Sequence, residues 1–114
     1  MFKTKKFYRI ESIEKNVEYY GHDLFTAGYK YSYTPTSYAM KYIAGVADKY
    51  INASVSSKRI DYAVVKSENE QRIIIKVTGR AKVIESFISE IISNDERFSK
   101  NFSMEQIPSY YVWA

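Results

Sequence analysis

At Gly79 the chain changes its hydrophobic period, and that change limits the possible architectures more than any other feature. Before the glycine, Arg72 to Thr78 alternates: Ile73, Ile75 and Val77 share one face, and Arg72, Ile74, Lys76 and Thr78 the other. After it, Val83, Ile84, Phe87, Ile88, Ile91 and Ile92 recur at helical spacing and form a stripe about 100° wide. A period of two belongs to a strand and a period near 3.6 to a helix, so this stretch must pack helix on sheet. Lys58 to Lys66 supplies a second strand, joined to Gln71–Thr78 through the polar turn Ser67-Glu68-Asn69-Glu70 as a hairpin.

The N-terminal half repeats the theme. Lys5 to Ile13 alternates, with Tyr8 and Ile10 on one side and Phe7, Arg9 and Glu11 on the other, and reads as a half-buried strand. In residues 14–34, Gly21 and Gly28 act as breakers, and Tyr29, Tyr31 and Tyr33 alternate with Lys30 and Ser32, which predicts a hairpin over 17–33. Thr34-Pro35 starts a helix over 35–52, with a hydroxyl cap and a proline where its missing N–H does no harm. Tyr38, Tyr42, Ile43, Val46, Tyr50 and Ile51 form its apolar stripe, and Asn52 to Ser57 ends it. Gly45 lowers that helix's propensity by about 1 kcal/mol, for which close packing is the expected reason. The second helix is predicted over 80–93, ended by Asn94 and Asp95. A short turn near Arg97-Phe98 and a last strand over Gln106–Trp113 follow. The expected core is Ile43, Val46, Ile75, Val77, Ile84, Phe87, Ile88 and Ile91.

Strand, helix, strand, strand, helix, strand resembles the split βαβ (βαββαβ) of the ferredoxin-like α+β class, with a Tyr-rich insertion at 14–34 after the first strand. The resemblance implies a sheet ordered 4-1-3-2, both helices on one face and the other face open. It also makes the last strand an edge, where Pro108 breaks no ladder.

At 114 residues, 46% apolar and 26% charged, residues 1–114 make one globular domain. The longest aliphatic run is Ile73-Ile74-Ile75, against the roughly 20 residues that span a bilayer. Lys3, Lys5 and Lys6 precede no apolar stretch, so no secretory signal is expected. The absence of cysteine excludes disulfides, thiolate metal sites and thiol nucleophiles, and makes a reducing cytoplasm the expected compartment. Net charge is +4, with Lys3, Lys5, Lys6 and Arg9 unopposed in the first ten residues. Phe, Tyr, Met, Ile, Asn and Lys outnumber Gly, Ala, Arg and Pro by 51 to 19, which points to AT-rich coding.

Catalytic chemistry finds little footing. His22 is the sole histidine, adjacent to Asp23, an arrangement ill-suited to a nucleophilic triad. Glu11, Glu14 and Glu18 have no calcium-loop spacing, and one histidine without cysteine is a poor zinc set. Acylphosphatases share the topology, but no phosphate-cradling loop like theirs follows the first strand. No enzyme activity, metal or cofactor is therefore expected. Gly79, Arg80 and Lys82 form a weak anion-binding motif at a helix start.

Binding is better supplied. Tyrosine contributes 12 residues, eight of them between Tyr19 and Tyr50. Tyr19, Tyr20, Tyr29, Lys30, Tyr31 and Tyr33 make the expected protein-contact set, because tyrosine combines an apolar ring, a polar tip and little rotamer entropy. The same rings could instead cover the helices. The alternative partner is RNA or single-stranded DNA on the open sheet face through Phe7, Arg9, Arg72 and Lys76. That face resembles the RNA-recognition variant of the fold in its cations and one aromatic, but has Arg72-Ile73-Ile74-Ile75-Lys76 where that variant carries an aromatic pair. The expectation is a protein-binding module, of a size and coding bias that suit a phage or mobile-element inhibitor of a host factor in the host cytoplasm.

Overall fold

The computed structural model describes residues 3–13, 17–20 and 30–109, with 17–20 and 30–33 described by backbone alone. Strand β1 (Thr4–Ser12) runs through the middle of a four-stranded antiparallel sheet. On one side it pairs with β5 (Arg72–Gly79), Tyr8 opposite Ile75 and Ile10 opposite Ile73. On the other it pairs with β6 (Phe102–Ile107), Ile10 opposite Met104. The outer neighbour of β5 is β4 (Ile60–Asn69), which gives the order β4-β5-β1-β6. A separate two-stranded ladder pairs β2 (Val17–Tyr20) with β3 (Lys30–Tyr33). The three helices are α1 (Pro35–Ile51), α2 (Ala81–Asn94) and α3 (Glu96–Asn101). This is an α+β fold compatible with a ferredoxin-like arrangement.

Alternation decides which side of the sheet receives the helices. Tyr8, Ile10, Ile73, Ile75 and Val77 join Ile43, Val46, Ile84, Phe87 and Ile91 in one buried cluster, so α1 and α2 share a face. Of the expected core only Ile88 is partly exposed, and it still packs against that cluster. Rings tie the layers together. Phe98 stacks on Phe102 with centroids 4.8 Å apart, Tyr42 stacks on Phe98 at 4.8 Å, and Phe87 meets the edges of Tyr50 and Tyr62.

Helix α1 starts as its sequence dictates: Thr34 Oγ1 accepts from the Ser37 N–H, with Pro35 just inside. The Thr36 N–H donates to the Glu70 carbonyl, which pins the helix start to the β4–β5 turn. That turn differs from the expected one. Strand β4 continues to Asn69, past two bulges, and only Glu70-Gln71 turn. Asn69 Oδ1 accepts the Gln71 N–H at 2.8 Å, so the asparagine side chain closes a turn tighter than its polar sequence suggests.

The last strand is displaced from its expected place at 106–113. It begins at Phe102 and ends at Ile107, because Phe102 and Ile107 are the buried positions and Asp95 starts a further helix by capping the Arg97 N–H at 2.8 Å. Pro108 stands just past the strand, and residues 110–113 of the expected one lie outside the described residues.

Candidate binding surfaces

A concave surface lies between α1 and the α2–α3 junction. Three tyrosines stand on the α2 side of α1, each hydroxyl donating across, and two of them, Tyr38 and Tyr42, line this surface. Tyr38 reaches Asp95 Oδ2 at 3.3 Å, Tyr42 the Ile91 carbonyl at 2.6 Å, and Tyr50 Glu90 Oε1 at 3.1 Å. Burial, and then the Asp95 carboxylate, push the Tyr38 hydroxyl up to about 12. Burial also raises Tyr42 and Tyr50. These rings are riveted into the fold. Beside them opens a groove of about 330 Å³ lined by Tyr38, Lys41, Tyr42, Gly45, Val46, Asn94 and Asp95. Here the packing reason expected for Gly45 is overturned. A Cβ built on it meets nothing within 4 Å, and the residue is exposed, because it sits on the groove's lip and not in the helix–helix seam.

The sheet face away from the helices carries the residues of the nucleic-acid alternative. Register sets Phe7 opposite Lys76, Arg9 opposite Ile74 and Glu11 opposite Arg72, so Phe7, Arg9, Arg72 and Lys76 occupy one face. Its chemistry is more closed than an open platform. Phe7 (7% exposed), Ile74 (0%) and Ile107 (5%) form a second apolar cluster with Val65 packed against it. Arg72 forks onto Glu11 Oε2, its Nε at 2.9 Å, and Arg9 Nε lies 3.7 Å from Glu68. A base would find the Phe7 ring covered and both arginines engaged by carboxylates. Alternation placed these residues, but the two glutamates as partners of the arginines emerge only from cross-strand register.

In the Tyr-rich segment, register sets Tyr19 opposite Tyr31, Val17 opposite Tyr33 and Tyr20 opposite Lys30. Tyr29 lies outside the described residues, as do Glu14, Gly21, His22, Asp23 and Gly28; Glu18 is described by backbone alone. Glu11 pairs with Arg72.

At the start of α2, Arg80 is the N-cap residue and makes no side-chain capping bond, while Lys82 is exposed in the first turn. Gly79 has a packing reason of its own. A Cβ there would stand 3.0 Å from Ile60 Cγ2 and 3.1 Å from the Arg59 carbonyl oxygen, so the glycine lets β4 approach β5.

Among the described residues no group of three or more His, Asp or Glu side chains could hold a metal ion, and no helix is long and apolar enough to cross a membrane. No family model, curated protein or solved structure matches the chain.

Proposed function

We propose that this protein is a non-enzymatic protein-binding module, built as a ferredoxin-like split βαβ whose Tyr-rich insertion is the contact surface. The observation that carries the reading is the ladder of β2 with β3. Val17–Tyr20 and Lys30–Tyr33 pair with each other as a two-stranded sheet apart from the main one, so their tyrosines are not members of the strands that build the four-stranded sheet. Positions 17, 19, 31 and 33 fall on one side of such a ribbon, and three of them are tyrosine. Tyrosine, with its apolar ring, polar tip and little rotamer entropy to lose, buries contact area at low entropic cost, which supports the reading. Tyr38, Tyr42 and Tyr50, by contrast, already spend their hydroxyls inside the fold. An inhibitor of a host factor, carried by a phage or mobile element, is the role that suits this surface.

The reading is tested with Tyr31→Ala, measuring the thermal midpoint and partner capture on the same protein. Truncation should weaken capture by about 2 kcal/mol or more while the midpoint moves little. A collapsed midpoint without a separate binding defect would return these rings to a structural role. Capture repeated with nuclease separates a protein partner from nucleic acid.

A further inference from the structure

Three strand ends meet at Gly79. Register sets it opposite Thr4 on one side and Ile60 on the other, and a Cβ built on it would stand 3.1 Å from the Arg59 carbonyl oxygen. Every segment that arrives there is basic. Lys3, Lys5 and Lys6 lie at the start of β1, Lys58 and Arg59 lead into β4, and Arg80 and Lys82 carry β5 into the first turn of α2. Seven cations stand against two acids in these stretches, Asp61 and Glu85, so more than the whole net +4 of the chain is gathered at one end of the sheet.

The fold itself does not use this charge. All seven side chains are exposed or partly exposed, and among the described residues none of them pairs with a carboxylate. Carboxylates engage Arg9, Lys49, Arg72 and Lys100 instead. Arg59 is held by backbone, its Nε and Nη2 donating to the Ala53 and Ser54 carbonyls, which fixes its place and leaves its charge in force. Arg80 and Lys82 oppose the dipole of α2, whose first turn has no acid to offset them. Like charges gathered in this way are unfavourable to the folded chain until a counter-charge covers them.

The surroundings identify that counter-charge. The nearest rings along these strands, Phe7, Tyr8 and Tyr62, are buried or half-buried, so the platform on which single-stranded bases stack is missing. The exposed large apolar residues nearby in the chain are the aliphatics Ile51 and Val55, without the aromatic or continuous apolar face that enters a lipid surface. A phosphate backbone whose bases are already stacked away needs neither. Strands β4 and β1 flank β5 at two strand spacings, roughly 10 Å, close to the ~12 Å width of a DNA major groove. Lys58-Arg59 and Lys3–Lys6 therefore reach phosphates on both edges of such a groove, with Arg80 and Lys82 between them.

We propose that this end of the sheet binds the phosphate backbone of a DNA duplex without reading its bases. The surface is separate from the ribbon, which joins the chain between Ser12 and Pro35 at the other end of β1, and its failure would leave the proposed function standing.

Fluorescence anisotropy of the full chain with a short labelled DNA duplex of mixed sequence, over a salt series, tests this. Affinity should fall steeply with salt, with a log–log slope of about −3 or steeper, and should be the same for a second sequence. Lys58→Gln and Lys82→Gln lie at exposed positions and should keep the wild-type thermal midpoint, yet each should weaken binding about threefold or more and flatten the slope by about one. Lys100→Gln removes the same charge where α3 meets β6, at the other end of the sheet, and should stay within about twofold of wild type. No binding even at low salt, an equal loss in Lys100→Gln, or tighter binding to single-stranded DNA or to phosphatidylserine vesicles than to the duplex would each overturn the proposal.

Discussion

The two faces of the four-stranded sheet are both closed to water at their centres, but by different means. On the helix side, Ile10, Ile73, Ile75 and Val77 lie under two helices and a set of interlocking rings. On the far side, Phe7, Ile74 and Ile107 form a smaller cluster bordered by Arg9–Glu68 and Arg72–Glu11. A strand that alternates charge with isoleucine can thus bury both of its sides, provided the charges find partners across the strands. Apolar content alone does not tell a solvated sheet face from a covered one; the placement of opposite charges one strand over does.

Substitutions on the two faces can break that comparison. The largest effect belongs to the helix side: Phe87→Ala should cost about 3–5 kcal/mol in denaturant unfolding, because the ring is fully buried among Tyr50, Tyr62 and the isoleucines. An unchanged midpoint would remove Phe87 from the core. Ile74→Ala, on the far side, should still cost about 2–3 kcal/mol. A loss within about 0.5 kcal/mol, as at an ordinary surface site, would show that face to be solvated after all.

Two smaller effects sharpen it. The Tyr62 hydroxyl is buried beneath the helices without a hydrogen-bond partner, and burial alone pushes it up to about 12. Tyr62→Phe should therefore stabilise the protein by about 1 kcal/mol, read as a raised midpoint. Tyr38 and Tyr62 both hold their protons more tightly folded than unfolded, so stability is intact below pH 10 and falls as pH climbs from 10 towards 12. Tyr62→Phe should make that alkaline fall shallower, and an identical slope would remove Tyr62 from it. Smallest is Glu11→Gln, which loosens Arg72 on a half-exposed surface and should cost less than about 1 kcal/mol, shrinking further in high salt.

Legibility in the sequence followed the local physics. The change of period at Gly79, the Thr34-Pro35 start and the stripe from Val83 to Ile91 are local signals, and each stands within a residue or two of its expected place. What went unread depended on partners distant in sequence. Phe102 belongs to a strand because β1 has an edge waiting for it, and nothing between Asp95 and Ile107 announces that edge. The same holds at the candidate surfaces. Phe7, Arg9, Arg72 and Lys76 could be put on one face from alternation, but the engagement of two of them by Glu11 and Glu68 could not. Gly45 stands out in the sequence as a cost to its helix, and only the open space where its Cβ would go shows that close packing is not the reason for it.

Placing β1 in the middle of the sheet also has a cost in time. Strand β1 is bonded on both sides, yet its partners are residues 72–79 and 102–107, far along the chain from it. Until β5 emerges, β1 has neither of its ladders, and until β6 emerges one of its edges stays bare. The closing contacts span long loops, so the four-stranded sheet is completed only after β6 has emerged and not strand by strand from β1. During that interval the alternating segment Lys5–Glu11 relies on its three cations, Lys5, Lys6 and Arg9, and on Lys3 just before it, to keep one nascent chain from pairing with another.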